Sequence, residues 1–359
     1  MAKPVVLQLG DDIRWNHELY GKFQDKFTIK RSYSMKRDEF KQALKDRKFG
    51  DFFALYRPFW NTGGEMGNWD QELISLLPKS CKIFASAGAG FDWVDTACMA
   101  KHGMCNSSNS NALLTRSKGV IYCNAASACT ESVADAAIWL IVSTFRLFSW
   151  SALAARSGDP AQFVDANRNL GTVSRNPTGH TLGIVGFGRI GRRVAEKAYK
   201  SMGMKIIYND VVRLPANLEK PTQAVYYKDL HAMLGEADCV VLAAPFSGAP
   251  ILNEKALKSM KKGLRFINIA RGKLVDEEAL VKALNDGTIG AAGLDVHYDE
   301  PNVHKELIKM RNVEVLSHNA GASLDSHMGF ESLGMENILA FHESGQALTT
   351  VNAPVQARL

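Results

Sequence analysis

The sequence predicts an α/β protein with two parallel sheets that follow one another along the chain. Short apolar runs of β-strand character alternate with segments of helical periodicity, which is the pattern of parallel strands joined by covering helices. A long helical segment near the middle interrupts this alternation once. Because 359 residues suffice for two domains, we expect each half of the pattern to form its own sheet.

The strand prediction depends on apolar runs in both halves of the chain. They are residues 5–9, 52–56, 82–86 and 120–123, and then residues 205–208, 239–243, 265–269, 291–296 and 313–316. Between the two groups, residues 130–142 have helical spacing with Thr130 as a candidate N-cap, and a loop at 157–160 is expected to end this helix. Its apolar residues surround more than one face, so burial between domains, in a subunit contact or in one core all fit.

The last helical segment, residues 333–341, is too short to form a domain and is expected to return to the first one. We therefore predict a discontinuous first domain of residues 1–126 and 324–359, and a second domain of residues 127–323.

A glycine-rich turn in residues 181–191, Thr-Leu-Gly-Ile-Val-Gly-Phe-Gly-Arg-Ile-Gly, predicts a Rossmann domain that binds a dinucleotide. Gly186 permits the tight turn, Gly188 lets the backbone approach a pyrophosphate, and Gly191 lets the next helix pack on the strand. The N-terminus of that helix offers N–H groups and a positive dipole to the phosphates. The alternative is a structural glycine turn in another kind of α/β protein.

The residues after the turn favour the first interpretation. A helical segment at 192–199 and a strand at 205–208 lead to Asp210, where a carboxylate can accept hydrogen bonds from the adenosine ribose. Its negative charge favours NAD over NADP, which carries a 2′-phosphate. Arg213 could turn toward such a phosphate, although a solvated loop arginine is the simpler interpretation.

Composition and charge narrow the class of protein. A net charge of +6 without a dense Lys/Arg block argues against nucleic acid as a partner. Six cysteines without a C-x-x-C pair predict reduced thiols and no metal site. The chain enters a strand-like run directly, and no apolar run is expected to reach membrane-spanning length, so we expect neither a signal peptide nor a membrane partner. Cytoplasmic localisation is expected, with the peroxisome as the alternative because Ala357-Arg358-Leu359 resembles Ser-Lys-Leu.

Three candidate catalytic side chains follow predicted strands of the second half. Arg271 lies beside Gly272, at the carboxyl edge where open α/β sheets bind ligands. Its guanidinium can bind the carboxylate of a ligand through two parallel N–H bonds. The alternative is that Arg271 forms a surface ion pair. Glu300 and His318 follow the next two strands. A carboxylate beside an imidazole supports acid–base chemistry, although a lone histidine is more often structural. His297 and His304 do not have the placement of His318.

These motifs together resemble the D-isomer-specific 2-hydroxyacid dehydrogenase family. The resemblance is carried, in order, by Ser-Ala-Gly-Ala-Gly-Phe-Asp at 86–92, the glycine turn, Ile-Ala-Arg-Gly at 269–272, Asp-Glu-Pro at 299–301, Ser-His-Asn-Ala-Gly at 317–321 and Val-Asn at 351–352. It implies a Rossmann cofactor domain and a discontinuous flavodoxin-like substrate domain, both doubly wound. Related formate dehydrogenases carry glutamine where this chain has Glu300, so a proton-transferring enzyme is favoured.

The resemblance also implies roles for individual residues. Arg271 would bind the substrate carboxylate, His318 would protonate the alkoxide that forms as nicotinamide delivers hydride to C2, and Glu300 would stabilise the imidazolium. Backbone N–H groups of Ala89 and Gly90 would bind the other side of the carboxylate. The implied cofactor residues are Gly186, Gly188, Arg189, Ile190, Gly191, Asp210, Pro245, Ile269 and Asp295. A homodimer is the family expectation.

The substrate is the least determined part of the prediction. Residues 56–64 are rich in large rings, and Trp60 could line a pocket for a bulky or aromatic side chain; local packing explains them equally well. Similarity to fungal mandelate dehydrogenase-like members favours an aromatic 2-oxoacid such as benzoylformate, while glyoxylate, hydroxypyruvate and branched-chain acids stay open. An NAD(H)-sensing protein of the C-terminal-binding corepressor type is the alternative function.

Overall fold

The computed structural model describes residues 2–59, 64–103, 119–246 and 248–352, and it confirms the α/β class with two parallel sheets. Two compact units divide the chain. Unit 1 comprises Met1–Cys129 and Ser323–Leu359, and unit 2 comprises Thr130–Ala322.

The secondary structure is given in chain order for the described residues. The strands are β1 (Val5–Leu9), β2 (Thr28–Tyr33), β3 (Ala54–Arg57), β4 (Ile83–Ser86), β5 (Ile121–Cys123), β6 (Thr181–Val185), β7 (Lys205–Asn209), β8 (Val225–Tyr226), β9 (Cys239–Leu242), β10 (Leu264–Asn268), β11 (Ile289–Leu294) and β12 (Val313–Val315). The α-helices are α1 (His17–Lys26), α2 (Arg37–Lys45), α3 (Gln71–Ile74), α4 (Thr96–Lys101), α5 (Ala126–Arg146), α6 (Phe148–Arg156), α7 (Pro160–Val173), α8 (Arg189–Met202), α9 (Ala216–Glu219), α10 (Leu230–Glu236), α11 (Glu254–Lys258), α12 (Glu277–Asn285) and α13 (Leu324–Ser344).

The sheet of unit 1 has the flavodoxin-like order β2-β1-β3-β4-β5, with every pair parallel. Helix α13, at the end of the chain, packs on this sheet: the Tyr56 hydroxyl of β3 donates to the Glu331 carbonyl of α13 at 2.8 Å. The carboxylate of Glu331 is fully buried and accepts the backbone N–H groups of Arg14, Trp15 and Asn16 at 2.7, 3.2 and 3.0 Å. One helix therefore fixes the loop that follows β1.

The sheet of unit 2 has the order β12-β11-β10-β9-β6-β7-β8, again all parallel. Strand order runs one way from β6 to β8 and the opposite way from β9 to β12. This is the Rossmann arrangement with one extra strand, and ligands bind such sheets outside the carboxyl ends at the point of reversal. The reversal falls between β6 and β9, where the glycine turn follows β6.

Among the residues that the structure describes, two strands were not predicted from the sequence, because each lies at a sheet edge. Strand β2 carries Lys30 and Arg31 and is mostly half-buried, and β8 has two residues. An edge strand needs less apolar side-chain surface than a central one, so it lacks the run that marks a buried strand.

The central helical segment also differs from its prediction. Thr130 lies inside α5, which begins at Ala126 and ends at Arg146, so it is not the N-cap. Leu147 adopts a left-handed conformation with a φ of 51°, and α6 follows at once. The loop at 157–160 ends α6 instead of α5, and Asp159 caps α7 through a hydrogen bond from the Ala161 N–H.

Helix α5 also corrects the expectation about apolar length. Among the described residues it is long and apolar enough to cross a membrane by length and composition, with 21 residues. A core helix meets the same criterion, and 56% of its apolar window is buried. On its exposed side Glu131 pairs with Arg193 at 2.6 Å, and Asp135 pairs with Lys197. These ion pairs with α8 indicate a helix packed against protein.

Candidate active site

The turn between β6 and α8 has the geometry that a phosphate-binding turn needs. Gly186 adopts a φ of 91°, and a Cβ there would lie 2.7 Å from the backbone nitrogen of Ala244. A Cβ at Gly191 would lie 2.2 Å from the Gly186 carbonyl oxygen. Any side chain at either position would therefore push the helix or the neighbouring strand away.

Gly188 is the N-cap of α8, and it meets no such restriction. A Cβ built on it would have no atom within 4 Å, and no side chain caps the helix at this residue. Arg189 and Ile190 form the first residues of the 14-residue helix, and Arg189 is exposed. An open backbone at the N-terminus of a long helix fits the pyrophosphate of a dinucleotide.

Asp210 lies directly after β7, beside the glycine turn. Its Oδ2 accepts the Phe187 N–H and its Oδ1 accepts the Val211 N–H, both at 2.7 Å. The Phe187 ring stacks on Tyr208 with centroids 4.2 Å apart. An ionised carboxylate has about four acceptor positions, so two remain for ribose hydroxyls.

Arg213 is an exposed loop arginine, as the simpler interpretation has it, and it is also paired. Its Nε and Nη2 donate to the two carboxylate oxygens of Glu219 at 3.0 and 2.9 Å. The pKa of Glu219 is lowered by this pairing and by the hydrogen bond from Tyr208.

Arg271 follows β10, where a buried asparagine fixes the backbone. Asn268 is 1% exposed; its Oδ1 accepts the Ala270 N–H and its Nδ2 donates to the Arg271 carbonyl, both at 3.0 Å. The Arg271 side chain is half-buried and donates from Nη1 to the Ala270 carbonyl at 2.7 Å. At the next position a Cβ on Gly272 would lie 2.0 Å from the carbonyl carbon of His297, so the loops after β10 and β11 are in close contact.

The structure brings Glu300 and His318 together. The distance from Nδ1 of His318 to Oε2 of Glu300 is 2.7 Å, and the His297 N–H donates to the other oxygen of Glu300 at 2.9 Å. Partial burial opposes ionisation of Glu300, but these two hydrogen bonds outweigh it, so the pKa of Glu300 lies below its ordinary value. Glu300 is therefore a carboxylate at neutral pH.

Asp295, after β11, holds the backbone around His318. The His318 N–H donates to the Asp295 carbonyl at 2.8 Å, and His318 adopts a φ of 53°. The Asp295 Oδ1 accepts the N–H groups of Asn319 and Ala320 at 2.9 and 3.0 Å. Burial raises the pKa of Asp295, and these N–H groups offset part of that rise. The carboxylate thus caps the turn that presents the imidazole.

All of these residues of unit 2 lie at one edge of its sheet. Strands β10, β11 and β12 are neighbours, and Arg271, Asp295 and His318 follow their carboxyl ends. Ile269 directly follows β10, and Pro245 follows β9, where it is exposed.

The predicted residues of unit 1 follow β4. Asn124 donates to the Ala89 carbonyl at 2.7 Å, and the Trp93 indole donates to the Gly90 carbonyl at 3.3 Å. Tyr56 and Phe59 are fully buried, which favours local packing for these two rings. Trp60 and the C-terminal tripeptide 357–359 lie outside the described residues.

Sequence reasoning missed three residues that hold this edge together. Asn268 ends an apolar run just before Ile-Ala-Arg-Gly, and this polar residue at the end of a buried strand could have marked it as a candidate. His297 was set aside, yet its backbone N–H binds Glu300 and its Nε2 lies 2.8 Å from the Leu316 carbonyl. Glu219 had no motif to mark it. His304, also set aside, pairs with Glu278 at 3.1 Å, outside the cluster around His318.

Comparisons with known proteins agree with one another. The family model described as D-isomer specific 2-hydroxyacid dehydrogenase, NAD binding domain, matches residues 138–320. The chain is 32% identical to 4-methyl-2-oxopentanoate reductase A of Aspergillus oryzae over 88% of each chain, and 36% identical to a glyoxylate reductase of Thermococcus onnurineus over 80% of each. It is also similar to the holo crystal structure of Rhodotorula graminis D-mandelate dehydrogenase, with a TM-score of 0.91, 37% identity, and coverage of 98% of this chain and 99% of that one.

Proposed function

Since this chain belongs to the D-isomer-specific 2-hydroxyacid dehydrogenase family, we propose a reaction in which Arg271 binds a 2-oxoacid and the His318–Glu300 pair supplies the proton. Membership makes the protein a nicotinamide-dependent oxidoreductase that interconverts 2-hydroxyacids and 2-oxoacids. The observation that carries the proposal is the 2.7 Å contact between His318 and Glu300 at the same sheet edge as the glycine turn.

Arg271 has the chemistry to bind and polarise the substrate. Its guanidinium can bind a carboxylate through two parallel N–H bonds and can polarise the adjacent carbonyl. Asn268 fixes the backbone around Arg271, so the point from which its side chain extends is set before the substrate binds.

His318 is the proton donor in the reducing direction. Its Nδ1 is committed to Glu300, so we assign Nε2 to the alkoxide oxygen. The bound nicotinamide supplies the hydride to C2 of the 2-oxoacid. As negative charge develops on the oxygen, the proton moves from Nε2, and in the oxidising direction the imidazole takes it back. The ionised Glu300 stabilises the protonated imidazole and keeps the ring oriented.

We propose NAD(H) as the preferred cofactor. Asp210 places a carboxylate where the ribose 2′-hydroxyl is expected, and this charge repels a 2′-phosphate. The pairing of Arg213 with Glu219 supports the same preference.

A 2-oxoacid with a bulky apolar side chain is the proposed substrate. Two fungal proteins to which the chain is similar are named for such compounds, D-mandelate and 4-methyl-2-oxopentanoate. Glyoxylate is the alternative, because a matching relative is a glyoxylate reductase.

A substrate panel tests the proposed function. Purified protein is assayed for oxidation of NADH and of NADPH with benzoylformate, 4-methyl-2-oxopentanoate, hydroxypyruvate and glyoxylate. We expect the highest kcat/KM with NADH and one of the first two acids. Preference for glyoxylate would contradict the bulky substrate, and no turnover with any acid would contradict the proposed reaction.

We further propose a homodimer. Helices α6 and α7 expose large apolar side chains, with Phe148, Leu153, Phe163 and Val173 at 42, 68, 55 and 50% exposure. Apolar surface of this kind is typical of a protein contact. Light scattering coupled to size-exclusion chromatography should give twice the mass of one chain, 39.4 kDa, and a monomeric mass would contradict the proposal.

A further inference from the structure

The loop after β7 contains an ion pair that the proposed reaction does not use. Arg213 donates to Glu219 through two parallel hydrogen bonds, from Nε at 3.0 Å and from Nη2 at 2.9 Å. Two-point pairing of a planar guanidinium with a carboxylate fixes the direction of the arginine as well as its distance.

Glu219 is the anchored member of this pair. It ends α9 and is 7% exposed, whereas the side chain of Arg213 is 65% exposed. The Tyr208 hydroxyl of β7 donates to Oε1 of Glu219 at 2.7 Å and accepts the Leu214 N–H at 3.0 Å. The strand therefore holds the carboxylate in place, and the carboxylate holds the arginine.

Arg213 lies in the loop that begins with Asp210, and Glu219 ends the short helix α9 that follows this loop. Arg213 is three residues beyond Asp210, whose carboxylate is where the adenosine ribose is expected. An arginine in this loop is well suited to a phosphate on the ribose 2′-oxygen. To offer Nε and Nη2 to that phosphate, Arg213 must leave Glu219, and the carboxylate then keeps the Tyr208 hydrogen bond but has no cation beside it and little access to water.

We propose that Glu219 is a specificity-determining residue for the cofactor. It sequesters Arg213 from a 2′-phosphate, while Asp210 repels the same group. The two acids thus exclude NADPH by different means, one by removing a cation and one by adding an anion. This inference rests on the proposed preference for NADH.

A purely structural role for the pair predicts a different outcome. If the pair only stabilised the conformation of the loop, its loss would weaken the binding of NADH and of NADPH to the same extent. If Glu219 sequesters Arg213, its loss should strengthen binding of the phosphorylated cofactor alone, and that gain should require Arg213.

Equilibrium binding tests the inference without turnover. NADH and NADPH are titrated by fluorescence, and adenosine 5′-monophosphate and adenosine 2′,5′-bisphosphate are used as competitors. The proteins are the wild type, Glu219→Gln, Arg213→Ala and the double variant. Glu254→Gln is the control, because it removes one negative charge from the exposed pair with Lys258.

Glu219→Gln should lower the Kd of NADPH and of the bisphosphate by about tenfold, as one charge-assisted hydrogen bond is gained. NADH and the monophosphate should change by less than about twofold. The double variant should lose the gain, and Arg213→Ala alone and Glu254→Gln should leave the NADH/NADPH ratio unchanged. Glu219→Asp keeps the charge but shortens the side chain by one methylene, so it should shift the ratio in the same direction if the Gln variant does not fold.

Two failures can be told apart. Equal binding of NADH and NADPH by the wild type contradicts the proposed NAD preference, whatever Glu219 does. A wild-type preference for NADH that Glu219→Gln and Glu219→Asp leave unchanged, or a gain that persists in the double variant, contradicts only the role of Glu219.

Discussion

Replacing Glu300 by glutamine isolates the electrostatic part of the proposed proton transfer. Glutamine keeps the shape and can still accept a hydrogen bond from His318, but it removes the negative charge 2.7 Å from Nδ1. A hydrogen bond to a charged group contributes about 1.5–3 kcal/mol. Because the His318 and Glu300 side chains are 40 and 34% exposed, solvent screening reduces this contribution, and we take about 1.4 kcal/mol, which is a factor of about ten in rate.

The sign is the same in both directions of the reaction. The imidazole is positively charged before it donates its proton in reduction and after it accepts one in oxidation, and the Glu300 carboxylate stabilises this positive charge. We therefore expect kcat/KM to fall by about tenfold in Glu300→Gln in both directions.

The assay compares kcat/KM for NADH oxidation and for the reverse reaction. Glu278→Gln is a matched control, since Glu278 contacts His304 at 3.1 Å outside the candidate site. The control should keep the wild-type rates. A Glu300→Gln enzyme with the wild-type kcat/KM in both directions would refute the reasoning.

Three further changes test other parts of the structure. His318→Gln should lower kcat by about 10² or more while the Kd of NADH, measured by fluorescence titration, stays within about twofold; full activity would exclude His318 as the proton donor. Asn268→Ala removes the two hydrogen bonds that fix the backbone around Arg271, and it should raise KM for the 2-oxoacid by about tenfold without a matching change in NADH binding. An unchanged KM would mean that Arg271 does not depend on these hydrogen bonds. Glu331→Gln places an amide against the N–H groups of Arg14, Trp15 and Asn16 and should destabilise unit 1 by about 2–4 kcal/mol, which thermal unfolding would report; an unchanged midpoint would show that this buried carboxylate is dispensable.

The sequence predicted the parts of the fold that local pattern encodes. Central strands buried on both faces read as apolar runs, and the glycines at 186 and 191 mark contacts that only a residue without a side chain permits. Edge strand β2 was missed because its half-exposed residues include Lys30 and Arg31. The start of α5 was misplaced because Thr130 is a good cap residue that the packed helix simply continues past.

The residues of the candidate site that belong to a sequence motif could be predicted. Those that act through contacts between loops could not. Arg271, Glu300 and His318 stand out because each follows a strand at the carboxyl edge. The residues that position them do not, since Asn268 acts through two backbone hydrogen bonds and His297 through its own N–H. Such roles depend on which loops are in contact in the folded protein, and the spacing of residues in the sequence does not reveal these contacts.

The contact at Gly272 has a consequence for how this site can change. The carbonyl group of His297 lies against Gly272, and the N–H of the same residue donates to Glu300. The residue after the carboxylate-binding arginine and the partner of the proton donor thus share one residue, His297, as their common support. Evolution or engineering that reshapes one of them for a new substrate displaces the other as well, so affinity and proton transfer are expected to vary together.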